Sequence, residues 1–298
     1  QRLLTGTGQY VDDVALPGEV FAAFVRSPYP RARIVSVDTT NALQLPGVVA
    51  AYTGADLLAD GLGPMPINPG LKNAAGKPTS APPYYVLATD EARYVGQAVA
   101  VVLAETRRQA EDAAEQVAVE YEELPAVTTL EDAMKEGGVQ LWADAPGNIT
   151  AQTAFGKADA CDAAFASAAH VTKIAFMNQR LVPVSMEPRG TVAQYDPATD
   201  RITMRTSCQN PAGLQKTLAE AILKIPAEKV RVVVGDVGGG FGMKTQLYPE
   251  DAVCAYAARK TGRAVHWRAS RTEEFLAGNH GRDQYNEGEL ALDGQGKI

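Results

Sequence analysis

Apolar and polar positions alternate along most of the chain, with a period that changes from segment to segment. Val20–Arg26 alternates with the two-residue period of a half-buried strand, after a turn at Leu16-Pro17-Gly18. Ala32–Val37 and Val48–Tyr52 read as two more strands, separated by Leu45-Pro46-Gly47. Residues 60–83 hold many Pro, Gly and Asn with little periodicity, which predicts a long loop. A β-α-β pattern follows. Gln97–Ala104 is a continuous apolar run, as in a strand covered on both faces. Thr106–Val117 places Ala110, Ala113, Ala114 and Val117 on one face of a helix. Val117–Leu124 alternates again, and Pro125 stops it.

Residues 125–160, with Gly137-Gly138 and Pro146-Gly147-Asn148, read as a connection into a second domain. Asp162–Ala169 suggests a short Ala-rich helix, and Val171–Met177, Thr191–Tyr195 and Arg201–Ser207 suggest strands. Asn210 can cap a helix that Pro211 starts, with Leu214, Leu218, Ala221 and Ile222 on its apolar face. Val230–Val234 is the next strand, and Pro249–Lys260 the next helix, with Gly262 in the position of a C-terminal cap. Ala264–Arg268 reads as a strand, and Ser270 with Glu273 has capping-box spacing. Glu287–Leu292 alternates once more before a hairpin signal at Asp293-Gly294. No return strand follows before Ile298, so a fragment or one piece of a split enzyme is expected.

Composition narrows the function classes. A length of 298 residues suits one large or two ordinary domains, and 46% hydrophobic content can fill a sizeable core. The net charge of −7, without a basic stripe, argues against a nucleic-acid partner. The longest apolar run, near Val95–Ala104, is far shorter than the roughly 20 residues of a bilayer span. Neither a zinc site nor an iron–sulfur cluster is encoded by Cys161, Cys208 and Cys254, which are far apart. They read as free thiols in a reducing compartment, and a cytoplasmic protein is expected. His170, His266 and His280 form no ligand-spaced pair and read as structural or exposed.

The densest chemical signal is Gly238-Gly239-Gly240-Phe241-Gly242-Met243-Lys244, entered from Val230–Val234. Glycines this concentrated lose much backbone entropy on folding, and close approach of backbone N–H groups to an anion or cofactor is the usual return. A Walker loop would need glycine where Met243 stands, just before Lys244 and Thr245. A Rossmann fingerprint also fails at Met243, and no helix opens before Pro249. Three readings stay open on the loop alone: a tight turn without ligand, a degenerate phosphate loop over 238–245 that uses Lys244, and the cradle of another cofactor.

Five segments, in order, give the chain a family resemblance. They are Leu4-Thr5-Gly6-Thr7-Gly8-Gln9-Tyr10-Val11-Asp12-Asp13, Arg93-Tyr94-Val95-Gly96-Gln97-Ala98-Val99-Ala100, Val119-Glu120-Tyr121-Glu122-Glu123-Leu124-Pro125, Met186-Glu187-Pro188-Arg189-Gly190, and Gly238–Gly242. With them the chain resembles the molybdenum-binding large subunits of the xanthine dehydrogenase, aldehyde oxidase and carbon monoxide dehydrogenase family. The opening segment is most similar to the carbon monoxide dehydrogenase-type large chains.

The resemblance implies a mixed α/β fold. Residues 1–125 would form an α/β hammerhead domain, 126–160 a connecting segment, and 161–298 the first part of a molybdopterin-binding domain. It implies a molybdopterin cofactor in cytosine dinucleotide form and oxidation of an aldehyde, an N-heterocycle or carbon monoxide, with water as oxygen source. Electrons would leave through 2Fe-2S clusters and FAD on a small and a medium partner subunit, in a dimer of heterotrimers.

Residue by residue, Gln209 matches the family glutamine whose amide contacts the apical oxygen on molybdenum, and Gly240, Phe241 and Gly242 match the Gly-Phe-Gly that lies against the cofactor. Thr245 stands where the purine-oxidising branch has a substrate-binding glutamate, which makes xanthine a poor substrate expectation. Glu187 does not match the catalytic base, and a structural salt bridge is the competing reading. Arg282-Asp283 reads as a surface pair. The family's base glutamate falls beyond Ile298, so no catalytic residue is expected here and this chain alone is expected to be inactive.

Overall fold

The computed structural model describes residues 1–67, 70–72, 78–79, 82–143 and 145–298. In chain order the strands are β1 (Val20–Arg26), β2 (Ala32–Asp38), β3 (Val48–Thr53), β4 (Glu91–Ala92), β5 (Ala98–Ala104), β6 (Ala118–Glu123), β7 (His170–Asn178), β8 (Gly190–Asp196), β9 (Arg201–Thr206), β10 (Val230–Val233), β11 (Val265–Arg268) and β12 (Gln284–Leu292). The α-helices are α1 (Thr40–Leu43), α2 (Gly54–Ala59), α3 (Arg107–Ala114), α4 (Leu130–Met134), α5 (Ala158–Ser167), α6 (Pro211–Lys216), α7 (Pro249–Thr261) and α8 (Arg271–Ala277). The long loop expected over 60–83 lies partly outside the described residues.

The chain divides into two compact units, one of Gln1–Ile67, Pro83–Ala126 and Pro183–Asn279, the other of Asn68–Pro82, Val127–Val182 and His280–Ile298. The first unit is built on a seven-stranded sheet of order β10-β9-β8-β11-β1-β5-β3 and a three-stranded sheet of order β4-β2-β6. Its large sheet is mixed: β1 runs parallel to β11 and antiparallel to β5, while β9 runs antiparallel to β8 and parallel to β10. All seven residues of β5 are buried, as their unbroken apolar run requires. Both neighbours of β5 are nevertheless antiparallel, and β6 leaves for the smaller sheet, so β5-α3-β6 is not a crossover within one sheet. An apolar run reports cover on both faces and carries no information on pairing direction.

Helix α7 is buried from Pro249 through Ala258 and packs on β8, β11 and β9. Its start carries Pro249 in the first turn and a capping carboxylate, Asp251, that accepts from the Tyr248 N–H at 3.1 Å. Its end is the left-handed Gly262, φ 66°. Helix α6 passes into π-helical winding over Thr217–Leu223 and stops at Lys224, φ 52°. The wider turn brings Ala219 fully inside and leaves Ala221, expected on the apolar face, only half-buried.

In the second unit β7 and β12 form an antiparallel two-stranded ribbon, paired from His170–Leu292 to Asn178–Gln284. Helix α5 starts at Ala158, earlier than its alanine pattern suggests, and buries none of its residues. The connection over 125–160 contains α4, whose first turn is capped by Thr129 accepting from Asp132 N at 3.1 Å. No helix among the described residues is long and apolar enough to cross a membrane.

Candidate cofactor-binding site

Beyond β10 the backbone turns through the glycine-rich loop on the first unit. Gly239, at φ 100°, takes a backbone conformation that L side chains rarely adopt. A Cβ on Gly240 would lie 2.5 Å from Gln209 Oε1, and Gly242 holds φ 90°. Phe241 also takes a left-handed φ of 51°, a costly conformation for an aromatic residue, and its side chain is 74% exposed. Thr245 closes the turn by donating from Oγ1 to the Gly242 carbonyl at 2.7 Å. The opening segment braces the loop's entry: Asp236 N donates to Gln9 O at 3.0 Å, Gln9 N donates to Asp236 Oδ2 at 2.7 Å, and Arg2 forms an ion pair with Asp236.

Gln209 stands just past the end of β9. Its N–H donates to the Lys244 carbonyl at 2.8 Å, and its Oε1 accepts from the Gly242 N–H at 3.0 Å. An amide N–H can only donate, so the atom facing it must be the glutamine oxygen. The side chain is exposed, and its Nε2 group has no protein partner among the described residues. Gln209, Gly240, Phe241, Gly242 and Thr245, scattered over 37 positions of sequence (245 − 209 + 1), meet around one loop.

Beneath the loop lies a cluster of charges. Lys244 is 1% exposed. Its ammonium donates to Glu187 O at 2.8 Å, Ser207 Oγ at 2.7 Å and Glu187 Oε2 at 3.2 Å. Glu187 Oε2 also accepts from Gly238 N at 2.8 Å and from Ser207 Oγ at 2.5 Å, and Oε1 from Val11 N at 3.4 Å. Burial pulls the Lys244 pKa below its ordinary value, against the opposing field of Glu187. Three N–H donors with three internal acceptors leave Lys244 nothing to offer a phosphate at the loop's mouth. The degenerate-phosphate-loop reading depended on that amine. The carboxylate of Glu187 is likewise fully engaged, as the salt-bridge reading required.

A second cluster ties α7 and α8 to the sheet. Arg189, 3% exposed, donates from Nε to Glu274 Oε2 at 3.0 Å and from Nη1 to Glu250 Oε2 at 3.1 Å, and its guanidinium carbon lies 3.9 Å from the Tyr248 ring centre. Arg26 of β1 reaches Glu250 at 2.8 Å and Glu273 at 2.9 Å. Burial would raise the Glu250 pKa, but the fields of Arg189 and Arg26 hold it below the usual value. Asp251 beside it has no such cation in contact, and burial pushes its pKa up to about 6. Burial also raises the Cys208 thiol to about 11, so this residue next to Gln209 stays a neutral thiol.

Sequence reasoning passed over Ser207, Lys244 as a buried partner of Glu187, and the Arg26–Glu250–Arg189–Glu274 set. The Glu250-Asp251 pair was visible at a helix start, where acids ordinarily cap in solvent. Nothing in the spacing says that this first turn is buried. Arg282 and Asp283, read as a surface pair, are consecutive left-handed residues at φ 68° and 61° in the second unit.

The glycine loop and Gln209 thus meet on the exposed side of the first unit. The family model of the molybdopterin cofactor-binding domain matches residues 141–298, and that of the aldehyde oxidase and xanthine dehydrogenase a/b hammerhead domain matches residues 5–125. The chain belongs to the family of molybdenum-binding subunits of xanthine dehydrogenase, aldehyde oxidase and carbon monoxide dehydrogenase.

It is 36% identical to a subunit named 6-hydroxypseudooxynicotine dehydrogenase complex subunit gamma from Paenarthrobacter nicotinovorans, over 100% of this chain and 37% of that one. It is 34% identical to the carbon monoxide dehydrogenase large chain of Hydrogenophaga pseudoflava, again over 100% of this chain and 37% of the relative. The crystal structure of quinoline 2-oxidoreductase from Pseudomonas putida 86 superposes with a TM-score of 0.89 at 39% identity, over 98% of this chain and 36% of that one. The chain thus spans little more than a third of the length of these relatives. Its seven-stranded sheet takes β1, β3 and β5 from the hammerhead match and β8–β11 from the cofactor-binding match.

Proposed function

We propose that this chain supplies part of the cofactor-binding surface of a molybdenum hydroxylase, with residues 1–125 as hammerhead, 126–160 as connection and 161–298 as the first part of the cofactor-binding domain. The observation that carries the reading is the orientation of Gln209. Gly242 N–H holds its oxygen, and the exposed side chain keeps two Nε2 donors without a protein partner among the described residues, so a neutral amide can donate to the cofactor without adding charge. The chain's residues fit the group. Gly240 and Gly242 allow the close approach, and the buried amine of Lys244 keeps its charge away from the exposed face.

When bound, the molybdopterin, in its cytosine dinucleotide form, supplies the redox centre that oxidises substrate with oxygen from water. Gln209 would hold the cofactor by donating from Nε2, and the Gly240–Gly242 backbone would leave room for its approach. Phe241, fixed in a left-handed turn, presents an exposed apolar ring beside the loop, while Thr245 holds the turn and presents no negative charge to substrate. Relatives named for quinoline and 6-hydroxypseudooxynicotine favour a nitrogen heterocycle over an aldehyde or carbon monoxide as substrate. The catalytic base comes from outside this chain. Electrons leave to 2Fe-2S clusters and FAD on partner subunits, in a cytoplasmic dimer of heterotrimers.

The test is elemental analysis and acid release of nucleotide from the intact complex purified from its native host. Near-stoichiometric molybdenum with CMP supports the reading. A folded, complete complex with neither overturns it.

A further inference from the structure

We infer that Glu187 and Lys244 are a positioning pair, which sets the height of the Gly238–Gly242 backbone and the register of Gln209 against it. The inference rests on the cofactor-binding reading above and assigns the residues that shape that site without touching the ligand.

The argument is one of connectivity. Ser207, Gln209 and the glycine loop share no secondary-structure ladder, so their spacing comes from single backbone bonds and from side chains. Lys244 links all three. Its ammonium holds Ser207 Oγ at 2.7 Å and the Glu187 carbonyl at 2.8 Å, while its own carbonyl accepts from Gln209 N at 2.8 Å. Glu187 closes the circuit. Its Oε2 holds Gly238 N at 2.8 Å, and its backbone N–H donates to the Gly238 carbonyl at 3.1 Å. The loop is therefore pinned at its entry by Glu187 and at its exit by Lys244, with Gln209 bonded to the residue at the exit.

Stability alone is a poor reason for such a pair. A buried ion pair gains little over an apolar pair of the same volume. What it does supply is a fixed set of directed bonds, and every N–H of Lys244 is used. The pair lies outside the site's exposed face, so its substitution leaves the cofactor's own contacts in place but allows the loop to drift. A misplacement of about 1 Å at a reacting centre costs on the order of a hundredfold in rate.

The experiment uses the complete subunit in its matured complex, with wild type, Ser207→Ala, and the paired variant Glu187→Gln with Lys244→Met, which removes both charges together. Four quantities are read: molybdenum per protomer, thermal midpoint, amide hydrogen exchange over residues 236–243, and the electron paramagnetic resonance signal of the reduced centre alongside kcat and KM. For the paired variant we expect at least half the wild-type molybdenum, exchange over 236–243 faster by about tenfold, a shifted resonance signal, and kcat down by about a hundredfold with KM changed by less than about threefold. Ser207→Ala, which removes one bond from each partner without touching charge, should show the same changes at about tenfold in kcat, and it decides the matter if the paired variant does not fold.

An unaltered signal, unaltered exchange and unaltered kcat in loaded protein would overturn the positioning role and leave the pair a packing element. Absence of molybdenum from the wild-type complex would instead remove the cofactor-binding reading itself.

Discussion

Two buried charge clusters sit in the same unit, and they are built for different ends. Around Arg189, two carboxylates face each guanidinium, and Arg26 on β1 is joined through Glu250 to Arg189 at the start of β8. Its partners stand on β1, α7 and α8, with Arg189 one residue before β8, so the cluster registers helix against sheet. Around Lys244, the acceptors are a carbonyl, a hydroxyl and one carboxylate oxygen, and the elements joined are irregular: the opening segment through Val11, the Glu187 turn, the exit of β9 and the glycine loop. Regular structure already has its ladders, and a charged cluster there adds only registration. A loop has none, and a charged cluster there is what gives it a shape.

The largest stability effect should come from the sheet cluster. Arg189→Met leaves Glu274 with only the backbone N–H of residue 189 and Glu250 with Arg26 alone, and unfolding of the intact subunit in denaturant should register a loss of about 3–5 kcal/mol. A loss below about 1 kcal/mol would mean that the two clusters do not differ in kind.

Asp251 tests the same region through pH. Burial raises its folded pKa to about 6, above an ordinary value of 3.8. A carboxyl whose folded pKa is raised stabilises the fold while protonated, so its contribution is full below the unfolded pKa and is lost as pH rises through the folded one. The stability of wild type relative to Asp251→Asn should fall by about 2–3 kcal/mol between about pH 4 and about pH 6, then stay level. A difference flat across that window would show that the carboxyl ionises freely in place.

Smaller effects belong to the loop. Phe241 holds φ 51°, so Phe241→Gly should be more stable than Phe241→Ala by about 1 kcal/mol, since alanine keeps the left-handed strain. Equal midpoints would mean that the strain is relaxed in solution. Gln209→Ala should change stability least, by less than about 1 kcal/mol, because Gly242 N–H is exposed enough to find water. In the matured complex the same variant should lose about a hundredfold or more in kcat. Loss of stability with unchanged turnover would reverse the assignment of Gln209.

Much of this was legible beforehand because local physics decides it. The apolar run Gln97–Ala104, observed as a strand over Ala98–Ala104, the Pro249 start and Gly262 cap of α7, and the Ser270–Glu273 capping box all depend on near neighbours, and all formed. The glycine loop and Gln209 were legible as a motif. Their meeting was not, because the Gly242–Gln209 bond spans 33 positions and leaves no periodic trace. Thr129 capping α4 was within reach of spacing rules and was overlooked inside a segment read as a connection.

Sequence by itself determined the longer strands and helices, the family and the chemistry that glycine, amide and threonine can offer, since these follow from residue type and short-range order. Only the tertiary structure decided that strands from both halves of the chain share one sheet, that β5 lies between antiparallel neighbours, and that Lys244 points inward to Glu187 and Ser207. A lysine after a glycine loop has the same sequence whether its amine meets a phosphate or a buried carboxylate. The choice is made by whichever acceptors the rest of the fold brings within about 3 Å.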